Sequence, residues 1–114
     1  PPLIRVADHP EHGQVLVGPT GMTLYTFAMD REDQWACSEG CLQRFPPLVV
    51  SGPVRLAAGL GGTADTFERP ADDSAEQRLQ VRYGGLPLYY FSRDEAPGDA
   101  RGHGLAGNWE VARP

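Results

Sequence analysis

The sequence predicts a mainly β fold: a single domain of two pseudo-symmetric repeats, each an antiparallel hairpin plus a short helical or looped segment. The stretch Leu24-Tyr25-Thr26-Phe27-Ala28-Met29-Asp30 returns 64 positions later as Leu88-Tyr89-Tyr90-Phe91-Ser92-Arg93-Asp94, and the same offset pairs Gly21 with Gly85 and Phe45 with Trp109. The 14 glycines and 11 prolines in 114 residues favour a turn-rich β chain over a helical bundle. A chain of this size buries roughly two thirds of its unfolded surface, enough for one core and too little for two independent halves. The domain is therefore read as spanning 1–114, with repeats at about 14–50 and 78–114 bridged by the loop-rich stretch 51–77.

Taken in order, Leu3-Ile4-Arg5-Val6 alternates as a strand and runs into a turn at 8–13. Gln14-Val15-Leu16-Val17 reads as a second strand, Gly18-Pro19-Thr20-Gly21 as a tight turn, and residues 22–29 as a third strand that completes a hairpin. Period two sets Met22, Leu24, Thr26 and Ala28 against Thr23, Tyr25, Phe27 and Met29, so both faces are largely apolar. A strand covered on both sides belongs in the middle of a sheet or between layers, and Met29 is expected to be packed with it. Each motif ends in Asp and turns polar, where an aspartate commonly accepts from backbone N–H groups.

Residues 35–48 carry Cys37, Cys41 and Phe45 at a spacing of four and stop at Pro46-Pro47, which fits one or two helical turns. An extended piece over 48–50 and a short strand over 54–56 follow. Residues 59–74 are the most loop-like, with Thr66-Phe67-Glu68-Arg69 a possible strand. Residues 79–83 alternate cleanly, pair by offset with 15–17, and pass through Gly84-Gly85 into the second motif as a second hairpin. A glycine-rich loop over 98–107 leads to a last strand over 108–111. The expected core is Leu24, Tyr25, Phe27, Leu88, Tyr89, Phe91, Phe45 and Trp109.

Composition narrows the function. The net charge of -5 comes from 15 acids and 10 bases, and every base is Arg. With no Lys, Schiff-base and P-loop chemistry have no residue to use, and an acidic chain without basic clusters argues against nucleic-acid or anionic-membrane binding. No apolar run is long enough to span a membrane as a helix. The chain starts at Pro1-Pro2 with no initiator Met or signal peptide, as expected of a processed or trimmed piece. Two nearby cysteines with none left over fit an exported protein.

Three groups of residues carry possible chemistry. Cys37 and Cys41, in Cys-Ser-Glu-Gly-Cys, suit a structural disulfide first, with a redox switch or a metal site as alternatives. A redox pair is usually Cys-x-x-Cys, one residue closer, and further zinc-spaced Cys or His are absent. His9, His12 and His103, with Met22 and Met29, offer imidazole and thioether donors suited to copper, although exposed histidines are usually solvated. The repeated Asp30 and Asp94, with Asp33, Glu39, Glu95 and Asp99, offer oxygen donors for calcium, but their spacing is not that of a calcium loop. Turn capping is the simpler role for both motif aspartates, unless the duplication brings them to one site. No Gly-x-Ser-x-Gly is present, and Ser51 has no evident base, so no catalytic constellation is complete.

The motif residues Gly21-Met22-Thr23-Leu24-Tyr25-Thr26-Phe27-Ala28-Met29-Asp30, then Cys37 to Cys41 with Phe45-Pro46-Pro47-Leu48, resemble a bacterial secreted-repeat lipoprotein family of unknown function, marked by a Tyr-x-aromatic-x-x-Asp motif in two copies. The second half, from Gln77 through Tyr83-Gly84-Gly85-Leu86-Pro87-Leu88-Tyr89-Tyr90-Phe91 and Asp94 to Pro97-Gly98-Asp99 and Trp109, is similar as well. Phe45 stands where the family usually has Trp, and His103 where it often has Gln. The resemblance implies an exported, often lipid-anchored protein of the periplasm or the outer face of the bacterial membrane, sometimes found joined to or near respiratory and redox proteins. It also implies a Cys37–Cys41 disulfide.

The expectation is a non-enzymatic extracytoplasmic binding or accessory module without cofactor, partnered by envelope or respiratory proteins and not by nucleic acid. Membrane association would come only through a lipid anchor outside this chain. The alternative is a redox or metal-handling protein, for copper or calcium, using Cys37/Cys41, the histidines or the repeated aspartates; His9, His12, Asp30 and Asp94 are the candidate ligands. Tyr25, Phe27, Asp30, Tyr89, Phe91, Asp94 and Trp109 are the motif residues expected to build the structure.

Overall fold

The two aromatic motifs lie side by side and antiparallel. In the computed structural model, which describes residues 3–30, 40–70 and 77–114, the Tyr25 N–H donates to Tyr89 O at 2.8 Å and the Tyr89 N–H to Tyr25 O at 3.0 Å. A pseudo-twofold axis runs between these tyrosines. Outside them, each motif pairs with the closing segment of the other repeat. Strand β3 (Tyr25–Phe27) pairs antiparallel with β9 (Trp109–Val111), Tyr25 opposite Val111 and Phe27 opposite Trp109. Tyr89 bridges Pro47, which stands 64 positions before Val111. The match extends to single amides, because Ala28 donates to Asn108 O at 2.8 Å and Ser92 to Arg44 O at 2.9 Å. The second copy makes bridges where the first makes a ladder, since Pro46 and Pro47 have no N–H to donate.

At the leucine level each half closes into a triangle of backbone bonds. Leu24 donates to Leu16 O (3.0 Å), Leu16 to Ala112 O (2.8 Å) and Ala112 to Leu24 O (2.8 Å). Leu88, Val81 and Leu48 repeat this circuit at 3.0, 2.9 and 3.0 Å. Val81 is thus the counterpart of Leu16, one residue away from the expected pairing of 79–83 with 15–17. The cause is the turn. Gly84 and Gly85, both with positive φ (60° and 83°), form a tight two-residue link, whereas the first repeat uses the longer Gly18-Pro19-Thr20-Gly21. Register follows the buried side chain, and Leu16 and Val81 enter the same core.

The remaining strands cover this centre. Strand β1 (Leu3–His9) pairs antiparallel with β2 (Gly13–Val17), from Arg5 opposite Val17 to His9 opposite Gly13. This ladder is the main partnership of β2; toward the motif only the Val17–Thr23 bridge closes the expected hairpin. β1 also runs parallel to β5 (Arg55–Leu56), which ties the first repeat to the bridging segment. Helix α1 (Gly40–Arg44) is a single turn that ends before Pro46-Pro47. Strands β4 (Val49–Val50), β6 (Ala64–Pro70), β7 (Gln77–Tyr83) and β8 (Leu86–Pro87) form one sheet centred on β7. The possible strand over 66–69 is therefore real and longer than expected: β6 takes seven residues of the stretch 59–74 read as loop-like. Its ladder with β7 places Asp65 opposite Arg82, which donates to both carboxylate oxygens at 3.0 and 2.7 Å, and the Arg82 guanidinium lies 5.1 Å from the Phe67 ring centre.

Period two divides the interior in two. Ile4, Leu16, Leu24, Leu48, Val81, Leu88 and Ala112 pack on one side of the central strands. Tyr25, Tyr89, Phe45, Phe91 and Trp109, with Val15, Val17 and Val111, pack on the other. Of the eight expected core residues, seven are buried and Phe27 is half-buried. Met29 departs from expectation: it is 60% exposed, because the strand ends at Phe27 and the chain turns through the Asp30 N–H bond to Phe27 O (3.0 Å). The radius of gyration, 13.1 Å, is that of one compact unit of this length.

Truncating Leu88 to Ala should cost about 2–5 kcal/mol in urea unfolding, because the leucine is fully buried in a closed hydrogen-bonded triangle. Met29→Ala should stay within about 0.5 kcal/mol of the parent.

Candidate functional site

Each motif places an aspartate five residues after its tyrosine, in a turn closed by Asp30 N–H to Phe27 O (3.0 Å) or Asp94 N–H to Phe91 O (3.1 Å). The carboxylates do not meet at a common ion. They are exchanged between repeats: the Tyr25 hydroxyl donates to Asp94 Oδ2 at 2.6 Å, and the Tyr89 hydroxyl to Asp30 Oδ2 at 2.8 Å. Asp94 Oδ1 also accepts the Arg101 N–H at 3.0 Å, and the Tyr25 oxygen accepts the Gly102 N–H at 3.2 Å. Asp30 and Asp94 are 2% and 8% exposed, so these bonds satisfy charges held out of water. Burial, with the Asp94 carboxylate as the next cause, pushes the Tyr25 phenol well above its ordinary pKa and keeps it protonated. A side chain at Gly102 would crowd the site, since a Cβ would sit 3.1 Å from the Phe45, Phe91 and Tyr25 rings.

Beside these pairs runs a stack of four rings. Phe27 lies on Trp109 (4.4 Å, 21° between planes), Trp109 on Phe45 (3.6 Å, 4°) and Phe45 on Phe91 (4.7 Å, 25°). The Phe45–Trp109 contact crosses the pseudo-twofold axis, and the offset-related pairs Phe27/Phe91 form the ends. The tyrosines meet the stack by their edges: Tyr89 to Trp109 at 5.2 Å and 89°, Tyr25 to Phe45 and Phe91 at 6.0 and 6.2 Å. Edge-to-face and offset contacts of this kind suit the ring quadrupoles.

The three histidines form a second cluster, from residues far apart in the chain. His12 stacks on His9 (4.7 Å, 28° between planes) and lies tilted against His103 (4.2 Å, 43°). His9 Nδ1 accepts the N–H groups of Glu11 and His12 at 3.1 and 3.3 Å, and its Nε2 bonds to Gly98 O at 3.0 Å. His103 Nδ1 accepts the Val111 N–H at 3.1 Å. Each of these rings therefore carries its proton on Nε2, with the Nδ1 lone pair occupied, and neither nitrogen offers a lone pair to a metal. Met29 faces outward, away from the packed position expected for it. Among the described residues, no group of three or more His, Cys, Asp or Glu is arranged to hold a metal ion.

Of the other candidates, Asp99 uses Oδ2 to accept the N–H groups of Glu95 (2.8 Å) and Ala96 (3.2 Å), which holds its carboxyl below the ordinary range. Cys41 is half-buried on α1, and no described cysteine is a free thiol. Cys37, Asp33 and Glu39 lie outside the described residues, and the expected Cys37–Cys41 pairing lies there with them. A shallow groove of about 200 Å³ runs past Thr26, Tyr83, Leu86, Leu88 and Glu110, with Arg113 at its border. It contains no nucleophile paired with a base.

A family model described as a secreted repeat of unknown function matches the chain twice, over residues 6–48 and 73–113. No curated protein and no solved structure matches it.

Tyr25→Phe should cost about 1–3 kcal/mol, because it removes a donor from a buried carboxylate. With Asp94→Asn it should show a coupling of about 0.5–3 kcal/mol in a double-mutant cycle read by urea unfolding. The histidine stack gives a pH dependence. Burial first, then the His103 and His9 charges, lower the His12 pKa below its ordinary 6.5. The unfolded chain then binds a proton more readily than the folded one, so this contribution to stability is whole above pH 6.5 and is lost as pH falls through the folded value. Urea midpoints should drop on acidification through that range, and His12→Gln should flatten the drop.

Proposed function

The chain belongs to the secreted-repeat family of unknown function, and from that premise we propose that it is a non-enzymatic extracytoplasmic binding or accessory module that works on envelope or respiratory proteins. The carrying observation is that the motif's polar groups close on one another: Tyr25 on Asp94 and Tyr89 on Asp30, all four buried. A signature satisfied internally builds a scaffold and leaves recognition to the surface that the scaffold displays. That surface is acidic, with Arg as its only basic residue, which suits a protein partner better than nucleic acid.

The full-length protein, on this reading, is held at the membrane by a lipid outside this chain, and Cys37 and Cys41 form a disulfide suited to an oxidising compartment. A metal-handling role has less support, because the Nδ1 atoms of His9 and His103 already accept backbone N–H groups.

Site-specific photo-cross-linking from exposed positions such as Met29 and Leu86, in the native host, tests the role. The expected result is a discrete adduct with one envelope protein. Recovery of the protein as a monomer without adducts from every position would overturn the reading. Ellman titration of the unfolded chain should find no thiol without reductant and both thiols after it. Partition of the full-length protein into the aqueous phase of a detergent extract would rule out the lipid anchor.

A further inference from the structure

The two repeats present the same phenol–carboxylate pair to different rings, and this difference has a chemical consequence. Tyr89 is fully buried, donates to Asp30 at 2.8 Å, and meets the indole of Trp109 edge-on at 5.2 Å. Tyr25 has an equivalent acceptor in Asp94 at 2.6 Å, and the rings it meets among the described residues are the phenyls of Phe45 and Phe91. Indole and phenol are oxidised by one electron within a similar range of driving force, whereas phenyl rings resist oxidation. A buried phenol can be oxidised to a neutral radical only if a nearby base takes its proton, since the phenol radical cation is a very strong acid. The pair Tyr89–Asp30 has a proton acceptor and an indole in direct contact, whereas among the described residues Phe45 stands between Tyr25 and the Trp109 indole.

We propose that Trp109, Tyr89 and Asp30 form a redox-active tyrosine site that reacts with one-electron oxidants. The oxidant removes one electron from Trp109, directly or across Phe27, which covers it at 4.4 Å. Tyr89 returns an electron to the indole radical cation while its hydroxyl proton passes to Asp30 Oδ2. The indole is restored, Tyr89 becomes a neutral phenoxyl radical and Asp30 a carboxylic acid. A one-electron reductant then converts the phenoxyl to phenolate, which takes the proton back. No atom leaves the site, and the enclosing rings keep the radical from water. The site stands independently of the binding role proposed above.

Pulse radiolysis with the azide radical as oxidant tests this on the 114-residue chain carrying Trp35→Phe, which leaves Trp109 as its sole indole. The indole radical should decay as a phenoxyl radical rises, at a rate independent of protein concentration and slower in D2O. Tyr89→Phe should abolish this intramolecular phase. Trp109→Phe, which keeps an aromatic ring in the stack, should abolish it too when circular dichroism shows the variant folded. Asp30→Asn should slow the phase and remove its solvent isotope effect. The proposal is overturned if the phenoxyl radical forms only in a concentration-dependent step, or if the same first-order phase persists in folded Tyr89→Phe.

Discussion

The structure depends on one exchange: each repeat's buried tyrosine gives its hydroxyl proton bond to the other repeat's buried aspartate. Tyr25 to Asp94 and Tyr89 to Asp30 are related by the pseudo-twofold axis that passes between the paired tyrosine backbones. An unpaired carboxylate at this depth would be costly, so neither repeat can fold with its own polar groups satisfied until the other is in place. The backbone obeys the same rule, because the closing segment of each repeat lies against the motif of its partner. Two halves of modest size thereby share one interior.

Packing reinforces the exchange from both faces. Leucine-level triangles fix strand register on one side, and the ring stack through Phe45 and Trp109 fixes the approach of the two repeats on the other. Gly102 joins these demands. Its N–H satisfies Tyr25, and its missing side chain admits three aromatic rings. The histidine stack lies outside this centre but draws on it, since His103 accepts from Val111, the residue opposite Tyr25 in the sheet.

Much of this arrangement was legible in the sequence. The duplicated heptad showed that the fold has two copies, and alternation separated Leu24 and Leu88 from Tyr25 and Tyr89 onto faces that are both buried. The pairing of Phe45 with Trp109 by offset anticipated a shared place, and here they touch across the axis. What alternation cannot reveal is which strand becomes a neighbour. For that reason the crossing of closing segments, the parallel pairing of β1 with β5, and the Tyr–Asp exchange appear only in three dimensions. Strand β6 was legible only over 66–69; its full extent from Ala64 to Pro70 follows from its ladder with β7, where Asp65 meets Arg82, and no local pattern shows that partner. Alternation predicts a packed Met29 because the turn closed by Asp30 N–H on Phe27 O leaves no mark in the apolar pattern. The histidines came together through the closure of the 98–107 loop, which no local pattern encodes.

The reciprocal Tyr–Asp exchange is also the contact expected of a symmetric dimer, in which residue i of one subunit meets residue j of the other and j meets i in return. Here both partners are written in one chain. A single repeat bearing this motif would have to find a second copy in solution, and its stability would rise and fall with its own concentration. Joining the copies makes the encounter intramolecular and removes that dependence. It also releases the two halves from identity: once Phe45 and Trp109 need not match, each half can acquire chemistry that the other lacks.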